Sequence, residues 1–285
     1  NDNPLIVHIS NINDVTNLVT EIPQMAKKLM DNLWPGPLTL ILKRSDTVPD
    51  IITAGLDTVA VRMPDNPVAL RLIEAAGVPV AAPSANLSGR PSPTSAKHVE
   101  EDLTGRVDFI IDGGVCDVGV ESTVLDVTGE IPIILRPGGV TIEMIEKLTG
   151  RVDADTQTKS TDKPRSPGMK YRHYSPKADI ILVEGDNDKV IGKINELSSL
   201  AKEKGLKVGV LSTKENCKYY NSDVILSVGS VKTPDEIASN LFECLRKFDD
   251  LKVDIIYSET FSEDGIGRAV MNRLKKASAG KIIKV

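Results

Sequence analysis

The sequence predicts an α/β protein built from a mixed sheet with helices, a linker, and a small domain with a parallel sheet. In residues 1–145, short apolar runs alternate with amphipathic stretches. Several runs follow one another too closely for a helical crossover, which favours a mixed sheet. From residue 178 onward, strand-like and helix-like segments alternate regularly, which favours parallel strands. We therefore predict a first domain over residues 1–148, a linker over 149–177 and a second domain over 178–285.

The elements of the first domain are predicted from apolar runs and helix caps. Asp65 or Asn66 precedes an amphipathic stretch that stops at Gly77, as capped helices do. The predicted strands cover residues 5–9, 38–42, 59–62, 78–81, 109–111, 123–127 and 133–136. The predicted helices cover residues 15–32, 67–76 and 141–148.

The linker and the second domain differ in pattern. Residues 149–177 lack apolar periodicity and are rich in Thr, Ser, Asp, Lys and Pro, which is typical of a linker. In the second domain, the predicted strands cover residues 180–183, 208–211, 224–227, 254–258 and 281–285. The predicted helices cover residues 189–204, 234–248 and 266–279.

The composition excludes several classes of protein. A net charge of −5 provides no overall attraction for nucleic acid. Cys116, Cys217 and Cys244 lie far apart, which argues against a disulfide framework or a zinc site and indicates reduced thiols. No apolar run is long enough to span a bilayer. We therefore expect a cytoplasmic protein. The chain opens directly ahead of its first predicted strand without a methionine, so we also expect that a preceding segment is missing.

Three short segments carry polar side chains at the ends of predicted strands. Residues 82–89 offer hydroxyl, amide and N–H groups at a sheet edge, where open sheets bind ligands, although a capped turn uses the same residue types. Residues 119–126 place two hydroxyls at the start of a strand, which suits a ligand but equally suits strand propensity. Arg136 precedes a tight turn, so its guanidinium is either a phosphate or carboxylate ligand or a surface charge. His8 and Arg62 end apolar strands and are similarly ambiguous.

Residues 163–174 are unusual for a linker. They contain four cations, two tyrosines and a histidine, and no acidic residue. Cations over a polyphosphate and rings stacked on a base would form a lid over a nucleotide, whereas a solvated basic loop would not need the rings. No catalytic triad, metal-ligand cluster, Walker loop or GxGxxG motif is present in the sequence, so we predict no covalent nucleophile and assign no metal ligand.

Seven motifs occur together and in order. They are Asn-Pro-Leu-Ile-Val-His at 3–8, Trp-Pro-Gly-Pro-Leu-Thr at 34–39, Val-Arg-Met-Pro at 61–64, Pro-Ser-Ala-Asn at 83–86, Glu-Ser-Thr-Val at 121–124, Leu-Arg-Pro-Gly at 135–138 and Ser-Pro-Gly-Met-Lys-Tyr-Arg-His-Tyr at 166–174. This series resembles the YrdC family of threonylcarbamoyl-AMP synthases, in the form with a small Rossmann-like C-terminal domain. The Thr-rich start and the Lys-x-Arg-Pro motif of that family are absent from this sequence.

The resemblance implies a role for each matching residue. Residues implied to bind threonine are His8, Arg62, Ser84 and Ser122. Residues implied to bind ATP are Asn3, Asn86, Thr94, Arg136 and, in the linker, Lys170, Tyr171, Arg172 and His173. The motif at 34–37 is interpreted as structural.

The resemblance also implies a reaction. L-threonine, bicarbonate or CO2, and ATP with Mg²⁺ would give threonylcarbamoyladenylate and pyrophosphate. The product would pass to a tRNA threonylcarbamoyl transferase, with no stable binding of tRNA by this chain. Two alternatives remain open, an RNA-binding module and a non-catalytic regulator that senses a nucleotide.

Overall fold

The computed structural model describes residues 3–154 and 174–285. Within these ranges the chain forms two compact units. The first unit comprises residues 3–84 and 121–154, and the second comprises residues 85–120 and 174–285. The predicted linker over residues 149–177 stays a prediction, because most of it lies outside the described residues.

The elements along residues 3–154 follow the predicted α/β pattern. They are β1 (Ile6–His8), α1 (Val15–Leu18), α2 (Gln24–Leu33), β2 (Leu38–Lys43), α3 (Asp50–Thr53), β3 (Thr58–Arg62), α4 (Pro67–Ala76), β4 (Val80–Ala82), α5 (Ala96–Leu103), β5 (Thr123–Asp126), β6 (Ile133–Arg136), α6 (Ile142–Thr149) and β7 (Asp153–Ala154). All except α5 belong to the first unit.

Helix α4 shows how local sequence sets the boundaries of an element. The Asn66 side chain accepts hydrogen bonds from the N–H groups of Val68 and Ala69, each at 3.0 Å, and Pro67 occupies the first turn. Gly77 ends the helix with a φ of 66°, a left-handed conformation that glycine adopts at little cost. The predicted helix over 67–76 and its caps are confirmed.

The sheet of the first unit is mixed, as predicted. Its strand order is β4-β1-β3-β2-β5-β6-β7. β1 is parallel to β3 and antiparallel to β4, while β2 is antiparallel to β3 and parallel to β5, which in turn is antiparallel to β6. The carboxyl ends of β1, β3 and β6 therefore lie at the same edge as the amino ends of β2 and β5.

The two faces of this sheet are covered differently. Side chains of α2 and α6 pack on one face, in a core that includes Val7, Leu40, Val61 and Leu125. The alternate residues on the other face form a much smaller apolar cluster of Ile6, Ile41, Ala60 and Val124, with Leu135 against it. Successive side chains of a strand point to opposite faces. The second face is therefore available for polar side chains near the strand ends.

The second unit contains the predicted parallel domain. Its elements after residue 174 are β8 (Asp179–Glu184), α7 (Asn187–Glu203), β9 (Val208–Thr213), β10 (Val224–Gly229), α8 (Pro234–Asp250), β11 (Ile255–Glu259), α9 (Gly267–Ala277) and β12 (Ile282–Lys284). All four pairings in the order β10-β9-β11-β8-β12 are parallel. Helices α8 and α9 pack on one face and α7 packs on the other.

Two predicted elements are wrong. The helix predicted over residues 15–32 is two helices, α1 and α2, separated by an extended stretch that ends at Pro23. Proline there lacks an N–H for a continuing helix and instead precedes the first turn of α2. The strand predicted over 109–111 belongs to neither sheet, and Phe109 is 87% exposed. The run Phe-Ile-Ile is apolar enough for a buried strand, but within the described residues it pairs with neither sheet.

No helix within residues 3–154 and 174–285 is both long and apolar enough to cross a membrane.

Candidate active site

His8 and Arg62 end two neighbouring strands of the first unit. They are cross-strand partners in the parallel pair β1 and β3. Both lie on the face that carries Ile6 and Ala60, because each follows its apolar neighbour by two residues. The guanidinium Nε of Arg62 donates to the carbonyl oxygen of Gly36 at 3.0 Å, which ties β3 to the turn before β2.

The next two strands contribute hydroxyl groups to the same face. Thr39 of β2 and Ser122, immediately before β5, lie with their hydroxyl oxygens 2.8 Å apart, and both residues are buried. Arg136 of β6 donates through Nε and Nη2 to the carbonyl of Ser122, at 3.2 and 3.0 Å, and through Nη2 to its hydroxyl at 3.1 Å. These bonds fix a guanidinium that is only 5% exposed.

The turn after Arg136 depends on glycine. A Cβ atom at Gly138 would lie 2.3 Å from the carbonyl oxygen of Glu121 and from the backbone nitrogen of Thr123. Only a residue without a side chain allows the turn to pack this closely on the strand start. The Thr123 hydroxyl donates to the Val140 carbonyl and accepts from the Val140 N–H, which closes the same turn.

These residues form a row across five consecutive strands, in the order β1-β3-β2-β5-β6. The row consists of His8, Arg62, Thr39, Ser122 and Arg136. Adjacent strands are about 4.8 Å apart, so the row is about 19 Å long. It places a guanidinium near each end and hydroxyl groups between them, an arrangement suited to an elongated ligand with carboxylate and phosphate groups.

The histidine of the row is neutral at physiological pH. Burial, followed by the charge of Arg62, lowers the pKa of His8 to about 4, although hydrogen bonds with the backbone of Val80 and Ile6 act in the opposite direction. An uncharged imidazole beside Arg62 leaves the guanidinium as the cation that an incoming carboxylate would meet.

A cavity of about 410 Å³ lies at the same edge of the sheet. Its lining includes Ser10, two residues beyond His8, and Met63, the residue after Arg62, together with Met30, Trp34 and Pro35. Because Met30 and Trp34 belong to the core under α2, this cavity is on the other face from the row.

Two residues of the first unit that were predicted to bind substrate lie away from the row. Asn3 precedes β1 by three residues, so it lies towards the opposite end of that strand from His8. β4 runs antiparallel to β1 and pairs Ala82 with Ile6, and Ser84 follows that end of β4 and is exposed. Strand register therefore does not bring Ser84 to Arg62, and a pocket shared by the two stays a prediction.

The remaining predicted residues belong to the second unit or lie outside the described ranges. Asn86 is half-buried and Thr94 is 4% exposed. The Thr94 N–H donates to Nδ1 of His98 at 3.1 Å. Lys170, Tyr171, Arg172 and His173 are outside the described residues, so the lid stays a prediction.

Sequence reasoning missed Thr39. It is the one polar residue in the run Leu38–Leu42, and it ends the motif at 34–39. A single threonine in an otherwise apolar run was the available signal. Its partner Ser122 is 83 residues away in sequence, however, and only the order of the strands shows the contact.

Comparison with known proteins gives a consistent result. Residues 1–138 match a family model described as "Telomere recombination", and residues 140–279 match one described as "Threonylcarbamoyl-AMP synthase, C-terminal domain". The chain is 52% identical to the threonylcarbamoyl-AMP synthase of Pyrococcus abyssi, covering 100% of this chain and 82% of the relative. It is 48% identical to that of Bacillus subtilis, covering 99% of this chain and 81% of the relative.

A solved structure matches over the same extent. It is the crystal structure of P. abyssi Sua5 complexed with L-threonine, with a TM-score of 0.94 and 52% identity over 100% of this chain and 82% of that one. The mixed sheet, the parallel sheet and these full-length similarities agree with the motif series found in the sequence. The chain belongs to the threonylcarbamoyl-AMP synthase family.

Proposed function

We propose that this chain condenses L-threonine, bicarbonate or CO2, and ATP to threonylcarbamoyladenylate and pyrophosphate. The observation that carries the proposal is the row of His8, Arg62, Thr39, Ser122 and Arg136 along one face of the sheet. Its length and its two guanidinium groups suit an amino acid and a nucleotide bound end to end. The relative whose structure contains L-threonine supports threonine as one substrate.

The reaction proceeds in two bond-forming steps. The neutral amine of threonine adds to CO2 and loses a proton to solvent, which gives a carbamate. A carbamate oxygen then attacks the α-phosphorus of ATP, a new P–O bond forms, and the bond to the β-phosphate breaks to release pyrophosphate. Positioning and charge neutralisation are sufficient for such a transfer, so no side-chain nucleophile is required.

Each residue of the row has a role in this scheme. Arg62 binds the threonine carboxylate, and neutral His8 lies beside it and contacts the amino acid. Ser122 contacts threonine with Thr39 supporting its hydroxyl at 2.8 Å, and Arg136 neutralises phosphate charge. Asn3, Ser84, Asn86 and Thr94 retain their predicted roles.

Mg²⁺ accompanies ATP in this proposal. The residues that the structure describes include no group of three or more His, Cys, Asp or Glu side chains able to hold a metal ion. Mg²⁺ commonly keeps several waters and binds through substrate phosphates, so it suits a site whose protein groups are cations and hydroxyls. Delivery of the product to a tRNA-modifying transferase and a cytoplasmic location stay predictions.

The test compares two variants that each replace one arginine with glutamine and so remove the same charge. Arg62→Gln should weaken threonine binding by about ten- to a hundredfold, because a charge-assisted hydrogen bond is lost. Arg71→Gln removes an arginine whose side chain is 82% exposed on α4 and should change nothing. Threonine affinity is measured by calorimetry and turnover by threonine-dependent pyrophosphate release.

The same experiment separates the alternatives. Ser84→Ala belongs in the series, because a loss equal to that of Arg62→Gln would support a shared threonine pocket despite the strand register. Absence of pyrophosphate release from the full-length wild-type protein, with ATP binding intact, would contradict catalysis and favour a nucleotide-sensing protein. Salt-dependent RNA binding would favour an RNA-binding module.

A further inference from the structure

Helix α8 holds residues 85–120 through a stripe of charged side chains. The stripe residues are spaced by three, which places them on one side of the helix. Each meets an oppositely charged or hydrogen-bonding partner within the second unit. The pairs are Glu243 with His98 at 2.9 Å, Arg246 with Asp102 at 2.9 Å, and Asp249 with Arg90 at 3.9 Å.

The central pair is buried. Arg246 is 2% exposed, and the side chain of Asp102 is fully buried. The guanidinium binds the carboxylate with two hydrogen bonds, from Nη1 to Oδ1 at 3.2 Å and from Nη2 to Oδ2 at 2.9 Å. Burial raises the pKa of Asp102, but Arg246, the Leu87 N–H and Arg90 outweigh this effect and hold the pKa below its usual value.

This pair reaches directly into the loop that begins at Asn86. Nη2 of Arg246 also donates to the carbonyl of Pro91 at 2.6 Å. Asp102 accepts from the Leu87 N–H at 3.2 Å and from the guanidinium of Arg90. The backbone of the loop is therefore fixed at residues 87 and 91, on both sides of the turn between them.

The loop in turn fixes the Asn86 side chain. Its Nδ2 donates to the carbonyls of Leu87 and Arg90, at 2.9 and 3.3 Å, which determines the orientation of the amide. Its Oδ1 is buried and has no hydrogen-bond partner among the residues described. A buried acceptor without a donor is costly, so this oxygen is a candidate acceptor for a ligand group. Hydroxyl and amino groups can donate to it, whereas an ionised phosphate cannot.

The other end of the loop is held in the same way. Nδ1 of His98 accepts from the Thr94 N–H at 3.1 Å, and Nε2 faces Glu243 of the stripe. Burial and the charge of Arg246 lower the pKa of His98, and a neutral imidazole fits one accepting and one donating nitrogen. Both predicted nucleotide contacts in this segment, Asn86 and Thr94, are therefore supported from α8.

We propose that Arg246, acting through Asp102, positions the Asn86 loop so that Asn86 Oδ1 accepts from a ribose hydroxyl or the adenine amino group of ATP. The proposal rests on the proposed function, because it takes ATP as the ligand. Arg246 is a positioning residue and touches no substrate. The C-terminal domain, residues 178–285, then contributes to nucleotide affinity because its helix α8 preorganises the Asn86 loop, which lies far earlier in the sequence.

The test is a double-mutant cycle in the full chain, with ATP and threonine affinities measured by calorimetry. Arg246→Met and Asp102→Asn should each weaken ATP binding by about tenfold, as loss of a supporting contact does. The double variant should be no worse than the weaker-binding single variant, because both act through one pair. Threonine affinity should change less than about twofold.

A matched control separates positioning from general stability. Glu259 is a buried carboxylate in the same unit, bonded to Ser212, Thr213 and Tyr220 and to none of the residues 85–120 in the described structure. Glu259→Gln should lower thermal stability and leave ATP affinity unchanged. Equal losses of ATP affinity in Glu259→Gln and Asp102→Asn would overturn the proposal.

Two further variants keep the result interpretable. If Arg246→Met does not fold, Arg246→Lys retains a charge in the pair, and it should bind ATP more weakly than wild type. Unchanged ATP affinity in both Arg246→Lys and Asp102→Asn would overturn the positioning role. Asn86→Ala tests the underlying assignment. If Asn86→Ala leaves ATP affinity intact, the loop has no role in nucleotide binding. If ATP affinity falls in Asn86→Ala but in neither the Arg246 nor the Asp102 variants, only the positioning role of Arg246 is contradicted.

Discussion

The sheets of the two units each carry polar side chains at one edge, but the two edges are built differently. In the first unit, five strands supply a row of cationic and hydroxyl groups on a face with a small apolar cluster. In the second unit, Glu259 ends β11 and is 4% exposed. Its carboxylate accepts from Ser212 Oγ at 3.0 Å, the Thr213 N–H at 3.2 Å and Tyr220 Oη at 2.8 Å.

The difference shows that a polar residue at a strand end does not by itself make a binding site. At the edge of the parallel sheet, the protein's own groups donate every hydrogen bond described for the Glu259 carboxylate, and Tyr220 covers it. Burial and the charge of Glu259 raise the pKa of Tyr220 well above its usual value, so the phenol remains a donor. We interpret this cluster as a tie between β9, β11 and the chain before β10. At the edge of the mixed sheet in the first unit, by contrast, cationic and hydroxyl side chains from distant motifs lie together on a face with few apolar neighbours.

Removing the tie should give the largest effect. Glu259→Ala leaves the Tyr220 hydroxyl and the Thr213 N–H buried without an acceptor and opens a cavity, which should cost about 4 kcal/mol of unfolding free energy. Glu263→Ala removes an exposed glutamate paired with Lys275 and should cost less than about 0.5 kcal/mol. Denaturant unfolding measures both. A cost near zero for Glu259→Ala would contradict the role of a tie.

Breaking the turn behind the row should have the next largest effect. The Cβ in Gly138→Ala would collide with backbone atoms of Glu121 and Thr123, so the turn must shift, at a cost of about 3 kcal/mol. Turnover should also fall, because Ser122 and Arg136 are positioned by the same contact. In Gly129→Ala the new Cβ would meet its nearest atom at 3.9 Å, so that variant should unfold and react as wild type.

Acid should destabilise the first unit through His8. Burial and the charge of Arg62 lower the pKa of His8 from 6.5 to about 4 in the folded chain. The unfolded state therefore binds the proton first as pH falls. The stability present above pH 6.5 should decline by about 2–3 kcal/mol as pH approaches 4. Comparing wild type with His8→Gln at pH 7 and pH 4.5 isolates this contribution. An identical pH dependence in the two proteins would show that His8 is not the titrating group.

The N-cap of α4 should give the smallest effect. Asn66→Ala removes the acceptor for the N–H groups of Val68 and Ala69 and should cost about 1 kcal/mol of unfolding free energy, measured by denaturant unfolding. Asn66→Asp retains a capping oxygen and should remain close to wild type. A cost near zero for Asn66→Ala would contradict the role of this side chain as a helix cap.

Much of the fold could be predicted from the sequence, because apolar runs and caps are local signals. The missed helix α5 shows the limit. Its buried residues are the polar His98 and Asp102, whereas Val99 and Leu103 are only half-buried, so the apolar pattern does not mark the buried side of the helix. Their burial depends on α8, more than a hundred residues later, and only tertiary structure shows that Arg246 neutralises Asp102.

The site was predictable in part for a related reason. The motifs supply His8, Arg62, Ser122 and Arg136 as polar interruptions of apolar sequence. Strand order decides which of them meet, and it is set by long-range pairing that no local pattern encodes. Ser84 illustrates this, because β4 runs antiparallel to β1, so Ser84 follows the end of β4 that pairs with Ile6 and not the end that pairs with His8.

The interleaving of the two units has a consequence for how the protein can be divided. Because residues 85–120 belong to the second unit, the chain passes from one unit to the other three times. A single proteolytic cut anywhere in the chain leaves covalent connections between the units, unlike in a protein whose domains follow one another in sequence. A fragment that ends at residue 148 would keep Asp102 but lose Arg246, and a fragment that starts at residue 178 would have the opposite defect. Co-expression of two halves should therefore restore more activity than either half alone, because each supplies the buried countercharge that the other lacks.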